Sequence, residues 1–186
     1  SKMPDMLILE TEDRMEKAVE ATTSEFSQIQ TGRASLSLLD NVTVEYYGAK
    51  STINQIATVT APEARLVVIQ PWDKSTIKDI EKAISQSDLG LNPNSDGVVI
   101  RIAIPELTTE RRQELVKLVG KITEEGRISI RNIRRDANGS LKKMEKAKGI
   151  SEDDRRAYEE DVQDLTDSYV GQIEELAKSE ESELLE

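Results

Sequence analysis

Apolar side chains recur at helical spacing through residues 6–30: Ile8, Met15, Val19, Phe26 and Ile29 share one face, while Glu12, Asp13, Glu16, Lys17 and Glu20 fall elsewhere. This spacing predicts an amphipathic helix. From Asn41 the period changes to two, Val42, Val44 and Tyr46 alternating with Thr43, Glu45 and Tyr47 before Gly48, which predicts a half-buried strand ending in a turn. The same alternation sends one of the two tyrosines inward and the other outward. Leu66–Ile69 is a short apolar run suited to a more buried strand, and Asp73 and Ser75 offer caps for a helix carrying Ile77, Ile80 and Ile84. Asn92–Gly97 reads as a turn cluster, and alternation resumes over Val98–Ile104 until Pro105.

Beyond Pro105 the pattern is helical only. Four of the five prolines lie between Pro62 and Pro105, and residues 106–186 contain none. A long helix is predicted from Thr109, with Leu115, Val119, Ile122, Gly126, Ile130, Ile133, Ala137, Leu141 and Met144 in a 3–4 rhythm. Gly149 breaks it, and Ser151-Glu152-Asp153-Asp154 caps another helix bearing Tyr158, Val162, Leu165, Tyr169, Ile173 and Leu176. A single amphipathic helix cannot hide its own stripe, so the economical fold is α+β: an antiparallel three-helix bundle from residues 1–31 and 106–186, with an inserted β/α/β domain over 32–105. Small and polar residues at the crossings, Thr31, Gly32, Arg33 and Ala34 on one side and Pro105 on the other, suit a hinge.

Composition narrows the chemistry. The 186 residues include no Cys and no His, which removes thiolates, disulfides, imidazole bases and the usual zinc ligands. The expectation is a protein that is not an enzyme and has no cofactor and no metal. Paired carboxylates such as Glu124-Glu125 and Asp153-Asp154 sit at adjacent helix positions, which do not converge on one substrate. No apolar run approaches the length of a membrane span. Ser1 and Lys2 ahead of Met3 fit either an appended pair or the edge of a processed transit peptide.

The formal net charge is −11, yet it is unevenly spread. Residues 108–148 carry 12 basic and 6 acidic side chains, whereas residues 152–186 carry 3 basic and 14 acidic ones. On the basic helix Arg127, Arg131, Arg134 and Arg135 gather on one side, away from the apolar seam, flanked by Arg112, Lys117 and Lys121. Two readings compete. The arginines either pair with carboxylates of the neighbouring acidic helix, or form a footprint for a folded RNA backbone, for which the guanidinium fork is well shaped. With six aromatic residues in the chain, single-strand binding by base stacking is disfavoured.

Five blocks in order then carry a family likeness: Thr31-Gly32-Arg33-Ala34-Ser35, Val44-Glu45-Tyr46-Tyr47-Gly48, Ser87-Asp88-Leu89-Gly90-Leu91-Asn92-Pro93, Leu107-Thr108-Thr109-Glu110-Arg111-Arg112 and Ile130-Arg131-Asn132-Ile133-Arg134-Arg135-Asp136-Ala137. From about Glu10 onward the chain resembles the ribosome recycling factor family. The resemblance implies an L-shaped molecule of a three-helix bundle and a hinged β/α/β domain. It also implies binding to the post-termination ribosome and its splitting into subunits with elongation factor G and GTP, releasing messenger and deacylated transfer RNA. By motif, Arg112, Arg131, Arg134 and Arg135 would touch large-subunit ribosomal RNA; Arg127 joins them from helical geometry alone, and Arg33 reads equally as an inter-domain pair or an RNA contact. The implied partners are the ribosome and elongation factor G, with no membrane. The chain would be a monomer, in cytoplasm or alternatively in chloroplast stroma. An acidic helical adaptor or cochaperone without RNA binding is the rival reading.

Overall fold

The computed structural model describes residues 3–185; Ser1, Lys2 and Glu186, and with them the question of how the chain starts, lie outside the described residues. Ten elements follow the order α1 (Pro4–Ser27), β1 (Thr43–Tyr46), β2 (Ala49–Thr52), β3 (Ala57–Glu63), β4 (Leu66–Pro71), α2 (Ile77–Gln86), β5 (Pro93–Ser95), β6 (Ile100–Ala103), α3 (Thr109–Lys146) and α4 (Glu152–Leu185). Short 3₁₀ turns at Ile53–Gln55 and Lys74–Thr76 join some of them. The chain divides into two compact units, Ser1–Ile29 with Gln113–Glu186, and Gln30–Arg112.

The first unit is the helical one. Asp5 accepts from the Tyr158 hydroxyl at 3.2 Å and Glu12 from that of Tyr169 at 3.4 Å, so α1 and α4 run in the same direction. Arg14 reaches Asp136 at 3.1 Å, and because Met15 packs with Ile130 and Ile133 while Leu7 packs with Ala137 and Leu141, α3 runs the opposite way. The core is built in layers, with Met15, Ile130, Ile133, Tyr169 and Ile173 in one and Leu7, Ala137, Leu141 and Val162 in the next. Burial pushes the Tyr169 hydroxyl's pKa upward, and the nearby Glu12 and Glu16 add to the effect.

The seam of α1 differs from the apolar spacing. Thr11 and Thr22 are buried in it, Ile8 and Val19 are only partly covered, and Ile29 lies beyond its end. Each buried threonine hydroxyl bonds the carbonyl four residues back, Thr11 to Leu7 at 2.7 Å and Thr22 to Ala18 at 3.1 Å, so it enters the core without an orphaned donor. Thr123 and Thr166 do the same on α3 and α4.

The second unit is more strand-rich than the alternation suggests. β1 and β2 form an antiparallel hairpin whose tip holds Tyr47 and Gly48 at positive φ. Tyr47 stands in solvent while Tyr46 is half-buried and donates to Asp73 at 3.4 Å, so the two tyrosines part as alternation predicts. A four-stranded antiparallel sheet runs β3-β4-β6-β5. Where the sequence reads as a turn cluster, Pro93–Ser95 is the short edge strand β5 paired to β6, a place where proline's missing N–H costs nothing; only Asp96-Gly97 turns. Ile77, Ile80 and Ile84 of α2 pack against the sheet residues Val67, Ile69, Ile100 and Ile102. Asp73 caps the turn ahead of α2 by accepting from the Ser75 amide at 2.9 Å.

Candidate nucleic-acid interface

α3 starts where the Thr108 hydroxyl accepts from the Arg111 amide at 3.1 Å, and it then runs unbroken for 38 residues. Its buried side is Leu115, Val119, Ile122, Thr123, Gly126, Ile130, Ile133, Ala137 and Leu141. At about 100° per residue, Arg134, Arg127, Arg131 and Arg135 follow one another outward from that side, toward α4 first and solvent last. The arginine row is therefore a continuous strip, graded from half-buried to exposed.

The four arginines differ in what holds them. Arg127 is the most restrained, with Glu124 of its own helix at 2.9 Å and Glu174 of α4 at 3.4 Å. Arg131 has only Glu124, at 3.8 Å, and its side chain is half exposed. Arg134 donates at 3.2 Å to the Gln163 side-chain carbonyl, whose amide nitrogen goes on to Asp167 at 2.8 Å. A neutral amide thus stands between that guanidinium and the Asp167 carboxylate. Arg135 makes no hydrogen bond or ion pair among the described residues, and the same is true of Lys117, Lys121 and Lys142. Pairing with the acidic helix therefore accounts for Arg127 and leaves the remainder of the row available.

Arg112 stands apart. Its place on the helical wheel lies within about 30° of the buried direction, it belongs to the other compact unit, and its Nε is buried with no partner. Proximity in sequence to the row does not put it on the row. A buried polar atom that spacing did not flag is Asn138 Oδ1, one turn beyond Arg134, also without a partner. Its signal in the sequence was only its position on the same flank, which apolar periodicity ignores.

The crossing residues are brought together on the second unit. Gly32 has φ +78°, and a Cβ there would lie 3.1 Å from Leu107 Cγ. The incoming and outgoing chain segments therefore touch. Beside them Ala34 donates to the Ala64 carbonyl at 2.7 Å and Ile104 to the Arg65 carbonyl at 2.9 Å, while Arg65 pairs with Glu106. Thr31 and exposed Arg33 each make a polar or electrostatic contact, and Pro105 follows Ile104 directly.

Among the described residues no cluster of acidic side chains could hold a metal, and no helix is long and apolar enough to cross a membrane. What the fold defines is a two-unit protein in which one long helix carries a strip of arginines. The ribosome recycling factor family model matches residues 22–185. Ribosome-recycling factors of Bacillus mycoides and Bacillus pumilus are 53% and 54% identical to it over 184 residues, 99% of this chain and all of theirs. A solution structure of a ribosome recycling factor superposes with a TM-score of 0.84 at 43% identity, covering 100% of this chain and 98% of that one. A second match, at TM-score 0.73, 45% identity and full coverage of both chains, is the Thermus thermophilus factor in a model with Escherichia coli elongation factor G on the Escherichia coli post-termination complex. The chain belongs to the ribosome recycling factor family.

Proposed function

We propose that this ribosome recycling factor grips large-subunit ribosomal RNA with Arg131, Arg134 and Arg135, with Arg127 freed from its carboxylates as phosphate replaces them. Elongation factor G and GTP then drive the bound ribosome apart into subunits, and messenger and deacylated transfer RNA leave. The observation that carries the reading is the arginine row, of which Arg135 is unpaired and Arg134 is held by an amide, in a member of this family.

The chain supplies no covalent chemistry of its own. The energy comes from the partner's nucleotide, and this protein acts as a wedge and lever, as a monomer in the cytoplasm. The lever is the inserted domain of residues 32–105, carried on Thr31, Gly32, Arg33, Ala34 and Pro105, against a bundle of residues 1–31 and 106–186. The acidic surface of α4, 14 acidic against 3 basic side chains over residues 152–186, repels phosphate and so leaves one orientation for docking. Arg112 acts from the start of α3, apart from the row.

The test is a splitting assay with purified post-termination ribosomes. Subunits should separate only when this chain, elongation factor G and GTP are all present, and splitting without the GTPase would overturn the reading.

A further inference from the structure

On the solvent side of α3 the cations fall into two groups. Lys117 and Lys121 form one, and Arg131, Arg135 and Lys142 the other, with their centres roughly 25 Å apart along the axis at 1.5 Å per residue. Between them the outer face carries no free cation. It carries Glu124, occupied by Arg127 and Arg131, and Ile128, a large apolar side chain that is 47% exposed.

A surface meeting only phosphates would have no use for an exposed isoleucine at its centre. RNA offers something else between its phosphates: the wide, shallow minor groove of a paired segment displays sugar edges. We infer that Ile128 is the apolar centre of the RNA-binding face, packing on ribose edges of a paired RNA segment while the two cation groups take the phosphates on either side. The inference rests on the RNA-binding reading of the arginine row, with which Ile128 is continuous one turn ahead of Arg131. Charge complementarity selects the occupant, since the segment 108–148 is basic in an otherwise acidic chain. An apolar contact ringed by charged ones also matches the anatomy of tight interfaces, where the dry centre sets the lifetime of the complex and the rim sets its salt response.

The experiment measures binding of the full-length chain to purified large ribosomal subunits across a salt series, for the wild type, Ile128→Ser, Ile128→Val and the double variant Arg131→Ala/Arg134→Ala. Ile128→Ser should bind about tenfold more weakly at every salt concentration with an unchanged salt slope, and Ile128→Val should bind like the wild type. The arginine variant should lose affinity and slope together. Thermal unfolding of Ile128→Ser should match the wild type, because the side chain is exposed. If Ile128→Ser binds as the wild type does while the arginine variant is impaired, Ile128 lies outside the contact and the inference fails alone. If the arginine variant also binds normally, the RNA reading itself fails. A changed sedimentation of the Ile128→Ser protein by itself would place Ile128 at a contact between copies of this chain, and would equally overturn the inference.

Discussion

Gly126 of α3 stands where Thr22 of α1 leaves no room for a side chain: a Cβ there would lie 2.8 Å from Thr22 Oγ1 and 3.0 Å from Ile173 Cδ1 of α4. All three helices contribute atoms at this level, one residue before Arg127. Thr22 cannot turn away cheaply, because it is β-branched and its hydroxyl is bonded to Ala18. Gly126→Ala should therefore lower stability by about 1–2 kcal/mol, overpacking outweighing the helix propensity that alanine adds. Gly171, in the interior of α4, has nothing within 4 Å of its Cβ position. Gly171→Ala should raise stability by about 0.5–1 kcal/mol. Urea denaturation of the two variants, opposite in sign, checks the assignment.

Arg131→Ala, Arg134→Ala and Arg135→Ala should each weaken binding to large subunits and reduce the salt slope by about one. Their side chains lie outside the core, so melting temperatures should stay within a degree or two. Arg127→Ala should cost less in binding, because Glu124 and Glu174 already occupy that guanidinium.

Glu124 neutralises two of the arginines from the middle of the face. Glu124→Gln should tighten large-subunit binding severalfold at low salt. Glu125→Gln removes the same charge from a position well round the helix from the arginines and should do much less. Equal gains in a side-by-side titration would mean that net charge alone was responsible.

Glu180 occupies a seam position of α4, in step with Ile173, Ala177 and Leu184, and its Oε2 is buried without a partner. Burial, and secondarily the charge of Glu183, pushes its pKa up to about 7. The folded value lies above the ordinary carboxyl value of 4.5, so its contribution is fully present below pH 4.5 and is lost as pH rises through about 7. Above pH 7 Glu180→Gln should be more stable than the wild type by about 1 kcal/mol, a modest figure because solvent reaches and screens the half-buried carboxyl. The gain should vanish below pH 4.5, and calorimetry at the two pH values decides it.

Gly32→Ala should strain the crossing twice, through its φ of +78° and through Leu107 Cγ at 3.1 Å. A loss of about 1–2 kcal/mol is expected in thermal unfolding. If the crossings act as a hinge, splitting in the assay above should fall more than subunit binding does.

Helices α3 and α4 were legible because their apolar residues repeat without interruption by proline, and the arginine row was legible because helical geometry converts spacing into direction. β2 and β3 were not, since Ala49-Lys50-Ser51-Thr52 and a strand containing Pro62 owe their conformation to pairing with β1 and β4. Thr11 and Thr22 were missed as core residues for a related reason: their polarity is satisfied inside their own helix, which hydropathy does not register. Among the site residues, spacing placed the arginines but gave no sign of which would be held. That depended on Glu174 and Gln163 arriving from a helix far along the chain.

The contact of Gly32 with Leu107 has a bearing on synthesis. Because the ends of the inserted unit meet, Gln30–Arg112 is continuous in sequence and can close as soon as it emerges, whereas the unit around it is split. At the ~5–20 residues per second of translation, α1 waits roughly 4–17 s for the first turn of α3, and longer for α4. During that interval Met15 lacks Ile130, Ile133, Tyr169 and Ile173, the residues it packs with in the complete fold. The inserted unit is thus the first part of each new molecule able to fold, and the bundle that carries the arginine row is the last.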